Sequence, residues 1–288
     1  LDKAELDKKA TQQYMLLFGL GLALIIVVYV AYSLNQKKKI NKILNTQNEI
    51  IAEKNKDITD SINYAQRLQS AILPPISILQ NYFKCFIYYQ PKDIVSGDFY
   101  WLKEMGNKIY FSVVDCTGHG VPGAFMSIIG YNSLNRIVED FNIAKPGNIL
   151  DELNIQVNKV LGSQVNKELT VRDGMDISIC CIDRETKILE YAGANNSLYL
   201  LRKSQNEKLD LESFMDEEGT SFYEIKSNKM AIGGGDNKTN YQTHTVKLNK
   251  EDAIYLFSDG FADQFGGPKG KKFMYKNFKK LLLSIQKN

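Results

Sequence analysis

The chain has 288 residues, of which 44% are hydrophobic and 24% are charged, and these proportions fit a globular protein rather than a disordered or collagen-like one. Its formal net charge of +3 is too small for us to expect a nucleic-acid-binding protein. The 16 tyrosines and 14 phenylalanines favour a core built on β-sheets, because aromatic side chains fit a pleated, half-buried surface.

The first predicted element is an apolar helix, residues 14–33, which contains no charged residue. A helix of this length spans roughly 30 Å, the thickness of the hydrocarbon core of a bilayer. We predict a single transmembrane helix, preceded in residues 1–13 by the end of an extracytoplasmic or sensor region. A buried core helix and a cleaved signal peptide are the alternatives.

Lysines on the two sides of this helix predict its orientation. Three precede it, and four follow it (Lys37, Lys38, Lys39 and Lys42). Because basic residues are enriched on the cytoplasmic side, we predict a protein of the inner (cytoplasmic) membrane whose C-terminal part faces the cytoplasm.

Residues 37–73 predict a coiled-coil signalling helix. The segment has no Gly or Pro, and an apolar residue recurs at every seventh position: Leu44, Ile51, Ile58, Ala65 and Ile72. Such a repeat favours a left-handed coiled coil, which would join two copies into a homodimer and pass a signal from the membrane. The second seam is polar (Gln47, Lys54 and Ser61), so a solvated linker helix is the alternative.

Beyond Pro74 and Pro75, which end this helix, the pattern changes to short apolar runs. Short turns such as 183–187 predict antiparallel hairpins, and the polar segment 204–220 predicts a mobile loop or hairpin tip. We therefore predict an α+β domain over residues 76–288. The predicted strands are 83–89, 108–114, 175–182, 188–191, 197–201, 241–248 and 253–257, and the predicted helices are 122–139 and 146–165.

The four cysteines form no C-x-x-C pair, and the chain has only two histidines. We interpret the cysteines as buried thiols in a reducing compartment rather than as disulfides or zinc ligands. Cys180 and Cys181 are adjacent in a predicted strand, so we expect them to face opposite sides of a sheet.

Three aspartates, Asp98, Asp115 and Asp259, lie at the ends of apolar runs beside Gly or a turn. Carboxylates that converge there would repel one another unless a cation neutralised them. Hard oxygen ligands of this kind favour Mg²⁺ or Mn²⁺ over zinc. Taken singly, each aspartate has the simpler interpretation of a turn residue that ends a strand.

Five segments carry a resemblance to a known family. From about Ala65 onward the chain resembles the metal-dependent Ser/Thr protein phosphatases of the type 2C superfamily, in the bacterial branch of SpoIIE and RsbU. The resemblance implies a four-layer α-β-β-α sandwich with two antiparallel sheets. The segments are 66–74 (QRLQSAILP), 95–100 (VSGDFY), 114–127 (VDCTGHGVPGAFMS), 173–176 (DGMD) and 255–260 (YLFSDG).

The resemblance also implies a centre of two Mn²⁺ or Mg²⁺ ions. Asp98, Asp115 and Asp259 would be ligands, with Asp115 bridging, and the backbone carbonyl of Cys116 would be a further ligand. Water activated by the ions would attack the phosphorus of phosphoserine or phosphothreonine. Asp176 matches a further family position, where it would bind metal, orient water or cap a turn.

Two other residues have functional and structural interpretations. His119 would protonate the leaving group, or would be a structural histidine that hydrogen-bonds within a Gly-rich turn. Lys92 would contact the substrate phosphate, or would be an ordinary solvated lysine.

We therefore predict a protein-serine/threonine phosphatase that acts on a phosphorylated regulatory protein, such as an anti-sigma-factor antagonist, and not on nucleic acid. The alternatives are a catalytically degenerate relay or partner-binding module, and a metal nuclease or nucleotide cyclase; the last two are disfavoured because no basic, aromatic-lined groove is evident. Family members usually carry a further aspartate beyond the S-D-G motif. Because the chain stops at Asn288, we expect the C-terminal end of the domain to be truncated.

Overall fold

The computed structural model describes residues 3–162, 173–203, 209, 213–217, 219–233 and 240–286. The chain divides into two compact units, Leu1–Ser61 and Ile62–Asn288. Helix α1 (Lys3–Ile72) begins in the first unit and ends in the second. Its end two residues before Pro74 confirms the predicted stop, because proline restricts the preceding residue and lacks a backbone N–H.

The apolar stretch 14–33 lies within α1. The most apolar 18-residue window of the helix has a mean hydropathy of 2.5 and is 0% buried. Among the described residues, α1 alone is long and apolar enough to cross a membrane. Farther along, Leu44, Ile51 and Ile58 of the predicted seam are 51%, 56% and 58% exposed, so their apolar surface is free in the single chain.

The second unit combines antiparallel strands with four further elements of helix. The helices are α2 (Ile76–Gln80), α3 (Gly120–Glu139), α4 (Pro146–Gly162) and α5 (Tyr275–Ile285). The strands are β1 (Phe99–Met105), β2 (Lys108–Cys116), β3 (Met175–Asp183), β4 (Ile188–Ala194), β5 (Leu198–Lys203), β6 (Ser213–Glu217), β7 (Thr220–Ile225), β8 (His244–Lys247), β9 (Ala253–Tyr255), β10 (Phe265–Gly266) and β11 (Lys271–Lys272).

These strands form two larger sheets and one short ribbon. The five-stranded sheet has the order β1-β2-β3-β4-β8, and the four-stranded sheet has the order β6-β7-β5-β9. Neighbouring strands are antiparallel in both sheets, as the short turns predict. Strands β10 and β11 form the short ribbon by pairing with each other.

Three apolar clusters follow from the alternation of side chains along the strands. One joins the five-stranded sheet to α3 and α4 and includes Ile179 and Leu134. The second lies between the two sheets and includes Leu200. The third joins the four-stranded sheet to α5 and includes Leu201 and Phe278. The chain therefore has a mixed α/β fold with antiparallel sheets, preceded by a long apolar helix.

The cysteines largely match the prediction. Cys180 and Cys181 belong to different clusters, on opposite faces of β3. All four cysteines are free thiols, and Cys116, Cys180 and Cys181 are buried. Cys85 is only partly buried, so the expectation of a buried thiol is wrong at that position.

Segment 83–89 was predicted to be a strand, and the structure shows none there. Its aromatic side chains pack singly instead: the rings of Phe83 and Phe111 are 5.6 Å apart, and those of Tyr88 and Phe261 are 6.0 Å apart. Aromatic alternation reflects half-burial as much as strand pairing, which explains the error.

Four strands, β1, β7, β10 and β11, have no counterpart in the prediction. Helix α3 begins at Gly120, so Pro122 lies in its first turn rather than at its first position, while α4 begins at Pro146 as predicted. The predicted end of this second helix, 163–165, lies outside the described residues. Most of 204–220 lies outside them also, although its described part contains β6.

Candidate metal centre

Three aspartates meet at one end of the five-stranded sheet. Asp98 immediately precedes β1, Asp115 is the penultimate residue of β2, and Asp176 is the second residue of β3. In the strand register, Phe99 lies opposite Val114 and Asp115 lies opposite Asp176. Asp98 therefore neighbours Asp115 on one side, and Asp176 neighbours it on the other.

Asp259 reaches the same place from the four-stranded sheet, in the turn that follows β9. Its backbone N–H donates a hydrogen bond of 3.3 Å to Oδ2 of Asp115. The preceding residue, Ser258, donates its hydroxyl to Oδ2 of Asp98 over 2.7 Å. The structure thus brings together the three aspartates that the sequence predicts as ligands.

The electrostatics of this cluster favour a cation. Burial raises the pKa of Asp115 to about 8, and the negative charges of Asp98 and Asp259 add to the effect. Burial also raises the pKa of Asp98, while hydrogen bonds from Ser258 and Asp115 oppose that rise. Without a cation, the Asp98–Asp115 pair is stabilised by holding a proton, because two adjacent charged carboxylates repel each other.

Asp176 is held by a residue that the sequence reasoning missed. The side-chain amide of Asn195 donates a hydrogen bond of 2.8 Å to Oδ1 of Asp176. Asn195 has a φ of 57°, the left-handed conformation that Asn tolerates better than most residues. Burial raises the pKa of Asp176, the bond from Asn195 lowers it, and the charge of Asp259 raises it further.

The backbone carbonyl of Cys116 lies against the segment that carries Asp98. A Cβ added to Gly97 would meet the carbonyl oxygen of Gly118 at 2.7 Å and that of Cys116 at 3.0 Å. Glycine at 97 is therefore needed for this close approach. The predicted carbonyl ligand consequently lies beside the residue that precedes a predicted carboxylate ligand.

The structure places His119 and Lys92 at the surface. His119 directly precedes α3, its side chain is 68% exposed, and its Nδ1 lies 2.7 Å from Oδ2 of Asp93. Lys92 is exposed. Among the described residues, no hydrogen bond or ion pair connects either side chain with Asp98, Asp115, Asp176 or Asp259, and the roles of His119 and Lys92 stay predictions.

Three more residues near the cluster were missed as functional candidates. The hydroxyl of Ser96 accepts the N–H of Asp98 over 3.0 Å, and Gln69 hydrogen-bonds to the backbone of Ser96. Both residues lie in segments that carry the family resemblance, which was the available signal. Tyr275 begins α5, and burial together with the charges of the aspartates, Asp259 foremost, raises its pKa to about 12.

These donors fit a hard divalent cation. Within the described ranges, no three His, Cys, Asp or Glu side chains stand close enough together to enclose an ion. Mg²⁺ does not need such a cage, because it usually keeps several water molecules and takes only one or two carboxylates. The adjacent pair Asp98–Asp115, with the Cys116 carbonyl nearby, meets that requirement.

Comparisons with known proteins indicate a phosphatase family. The family model of stage II sporulation protein E (SpoIIE) matches residues 105–287. The solved SiaA-PP2C domain of Pseudomonas aeruginosa is 33% identical, with a TM-score of 0.63, over 79% of this chain and 82% of that one. No curated protein sequence matches the chain.

Two further solved structures are more distant. The RsbU and RsbW domains of a Mycobacterium tuberculosis protein are 19% identical, with a TM-score of 0.49, over 67% of this chain and 47% of that one. The PP2C phosphatase domain of SpoIIE from Bacillus subtilis, solved with a fragment of its regulatory domain, is 20% identical, with a TM-score of 0.41, over 58% of this chain and 41% of that one. On the family-model match and the likeness to SiaA-PP2C, this chain belongs to the SpoIIE family of PP2C-type phosphatases.

Proposed function

We propose that this chain is a metal-dependent protein phosphatase that removes phosphate from serine or threonine of a regulatory protein. The observation that carries the proposal is the meeting of Asp98, Asp115 and Asp259 from two different sheets. In this cluster Asp98 and Asp115 are partly buried and Asp259 is exposed, and such a group of like charges needs a cation to be fully ionised. Two ions of Mn²⁺ or Mg²⁺ suit its oxygen donors.

In this mechanism some residues of the chain bind the metal ions, and others hold those residues in position. Asp98, Asp115 and the Cys116 carbonyl would hold the ions, and Asp259 would close the site. Ser258 fixes Asp98, and the Asp259 N–H fixes Asp115. When bound, the ions would lower the pKa of a water molecule and offset the charge of the phosphoryl oxygens.

The attacking group is then water rather than a side chain. Cys116 is the thiol nearest to the cluster in sequence, and burial raises its pKa well above the ordinary value, with the charges of Asp115 and Asp98 adding to the effect. A thiol that stays protonated is a poor nucleophile. The environment of Cys116 therefore supports direct hydrolysis without a phosphorylated enzyme.

Asp176, His119 and Lys92 take supporting roles in the proposal. Asp176 would act as a ligand or orient water, held by Asn195. His119 would protonate the leaving oxygen, with Asp93 orienting its ring through Nδ1. Lys92, exposed to solvent, would contact the substrate phosphate.

We propose further that the phosphatase domain, 76–288, is attached to the inner membrane and lies in the cytoplasm as an α-β-β-α sandwich. Helix α1 supplies an apolar stretch, 14–33, and the lysines of 37–42 follow it. Segment 37–73 would pair two copies through its exposed apolar stripe. The substrate would be a phosphorylated regulatory protein of the anti-sigma-factor-antagonist kind.

The test is phosphate release from a phosphoserine peptide by the full chain in detergent. We expect hydrolysis with Mn²⁺, none with EDTA, and a loss of at least about 100-fold in Asp115→Asn, which keeps the volume and removes the charge. Full activity of Asp115→Asn would overturn the assignment. Inactivity of the wild type with Mn²⁺ would favour a degenerate, partner-binding module.

A further inference from the structure

Gln69 lies near the C-terminal end of α1 and is only 5% exposed. Its Oε1 accepts the N–H of Ser96 over 3.0 Å, and its Nε2 donates to the carbonyl of Ser96 over 2.6 Å. A neighbouring strand would make the same two bonds to that residue. The Nε2 also donates to Oγ of Ser127 in α3 over 2.8 Å, so both of its hydrogens are used.

The contact continues from Ser96 to the metal centre. The hydroxyl of Ser96 accepts the backbone N–H of Asp98 over 3.0 Å. On the other side of the segment, Gly97 fits tightly against the carbonyls of Gly118 and Cys116. Asp98 is thus positioned between the Gln69 amide and the loop that follows β2.

Packing alone does not call for glutamine at this position. An apolar side chain of similar length would fill the space between α1 and α3, and burying an amide is costly unless its polar groups are satisfied. Here the amide satisfies the donor and the acceptor of Ser96 together. It also adds no negative charge beside the aspartates, which a glutamate would do.

We propose that Gln69 is a positioning residue for metal binding. It holds Ser96, and through Ser96 the carboxylate of Asp98, in the place where Asp98 binds a divalent cation. The affinity for metal then depends on how the C-terminal end of α1 packs against the domain. The proposal rests on the proposed function, because it assumes that Asp98 is a metal ligand.

The test is calorimetric titration of the full chain with Mn²⁺ in detergent, which needs no turnover. Gln69→Met keeps the length of the side chain and removes its three hydrogen bonds. We expect Mn²⁺ to bind about 10–100-fold more weakly, as for other residues that orient a ligand. At saturating Mn²⁺, the KM for p-nitrophenyl phosphate should stay within about twofold of the wild type, because Gln69 does not touch substrate.

Two further variants keep the test decisive. Ser96→Ala removes the acceptor for Asp98 but leaves both backbone bonds to Gln69, so it should fold and should also weaken Mn²⁺ binding. Tyr110→Phe removes a partly buried hydrogen bond to the carbonyl of Ala144, far along β2, and should leave Mn²⁺ binding unchanged. It controls for a general loss of stability.

Wild-type Mn²⁺ affinity in Ser96→Ala, or in a folded Gln69→Met, would overturn the positioning role. Equal weakening in Tyr110→Phe would overturn it as well. If the wild type binds Mn²⁺ but hydrolyses nothing, the proposed function fails while the positioning role is still measured by calorimetry. If the wild type binds no Mn²⁺, both proposals fail.

Discussion

The hydroxyl of Ser258 donates a hydrogen bond of 2.7 Å to Oδ2 of Asp98, although the two residues are 160 positions apart. Ser258 follows a strand of one sheet, and Asp98 precedes a strand of the other. This bond lowers the pKa of Asp98 against the effect of burial. It therefore favours the charged form of Asp98, the form that binds a cation.

Replacement of Ser258 by alanine should weaken metal binding. Without the hydroxyl, the pKa of Asp98 rises and a proton competes better with Mn²⁺. We expect the Mn²⁺ concentration for half-maximal activity to rise about 10-fold, with little change in activity at saturation. Ser284→Ala, on the exposed side of α5, is the matched control; equal shifts in the two variants would contradict the role of Ser258.

The metal-free chain should lose stability as the pH rises. Folded Asp115 keeps its proton up to about pH 8, whereas the unfolded residue releases it near 3.8. The folded state therefore binds more protons between these values, and its stability falls as pH rises through that window. Melting temperatures in EDTA at pH 5 and pH 8, followed by the fluorescence of Trp101, should show this fall.

Asp115→Asn should flatten that dependence, because the amide does not titrate. Saturating Mn²⁺ should reverse its sign in the wild type, since binding requires the deprotonated carboxylate. A pH dependence in Asp115→Asn as steep as in the wild type would show that other groups cause it.

Asn195 allows its hydrogen bond to be separated from its backbone conformation. Asn195→Gly keeps the left-handed φ without strain but removes the bond to Asp176, whereas Asn195→Ala removes the bond and adds strain. We expect both variants to bind Mn²⁺ about 10-fold more weakly and only the alanine variant to melt clearly lower. Unchanged Mn²⁺ affinity in Asn195→Gly would place Asp176 outside the metal shell.

Gly97→Ala should disturb the site by crowding. The added methyl would meet two carbonyl oxygens at 2.7 and 3.0 Å, and neither belongs to a flexible side chain. We expect a loss of about 1–3 kcal/mol in the free energy of unfolding, together with weaker Mn²⁺ binding. Gly106→Ala, where nothing lies within 4 Å but φ is 60°, tests backbone strain alone and should leave Mn²⁺ binding intact.

The predicted coiled coil can be tested by measuring whether the chain is a monomer or a dimer. A triple variant with Leu44→Ser, Ile51→Ser and Ile58→Ser should dissociate a dimer, because these residues would supply the apolar seam. A second triple variant, with Gln47→Leu, Lys54→Leu and Ser61→Leu at the polar positions, should strengthen the dimer. Sedimentation equilibrium in detergent measures both variants, and a wild type that stays monomeric at high concentration would contradict pairing.

Prediction from the sequence succeeded where the signal was local and periodic. The strands that carry Asp115 and Asp176 are runs rich in apolar residues, and their motifs identified the family. The aromatic segment 83–89 shows the limit of this signal, since the same side chains pack without a partner strand. β1 was missed because its second half contains the charged residues Lys103, which is partly buried, and Glu104, which is exposed.

The supporting bonds around the aspartates could not be predicted in the same way. Gln69 contacts Ser96 across 27 residues, and Ser258 contacts Asp98 across 160. Such pairs depend on how the two sheets and the end of α1 come together, which no local pattern encodes. Asn195 carried no stronger signal than its place in a turn after β4.

The most direct test of the proposed metal-dependent phosphatase activity is Mn²⁺-dependent hydrolysis of p-nitrophenyl phosphate by Asp259→Ala beside its matched control, Asp263→Ala. Asp263 lies one turn farther on, with its N–H bonded to the carbonyl of Asp259, and it pairs with Lys272 over 2.6 Å. Both changes remove one negative charge from the same turn. We predict a loss on the order of 100-fold or more in Asp259→Ala and less than about threefold in Asp263→Ala. Equal activity of Asp259→Ala and the wild type would contradict a role for Asp259 in metal-dependent hydrolysis.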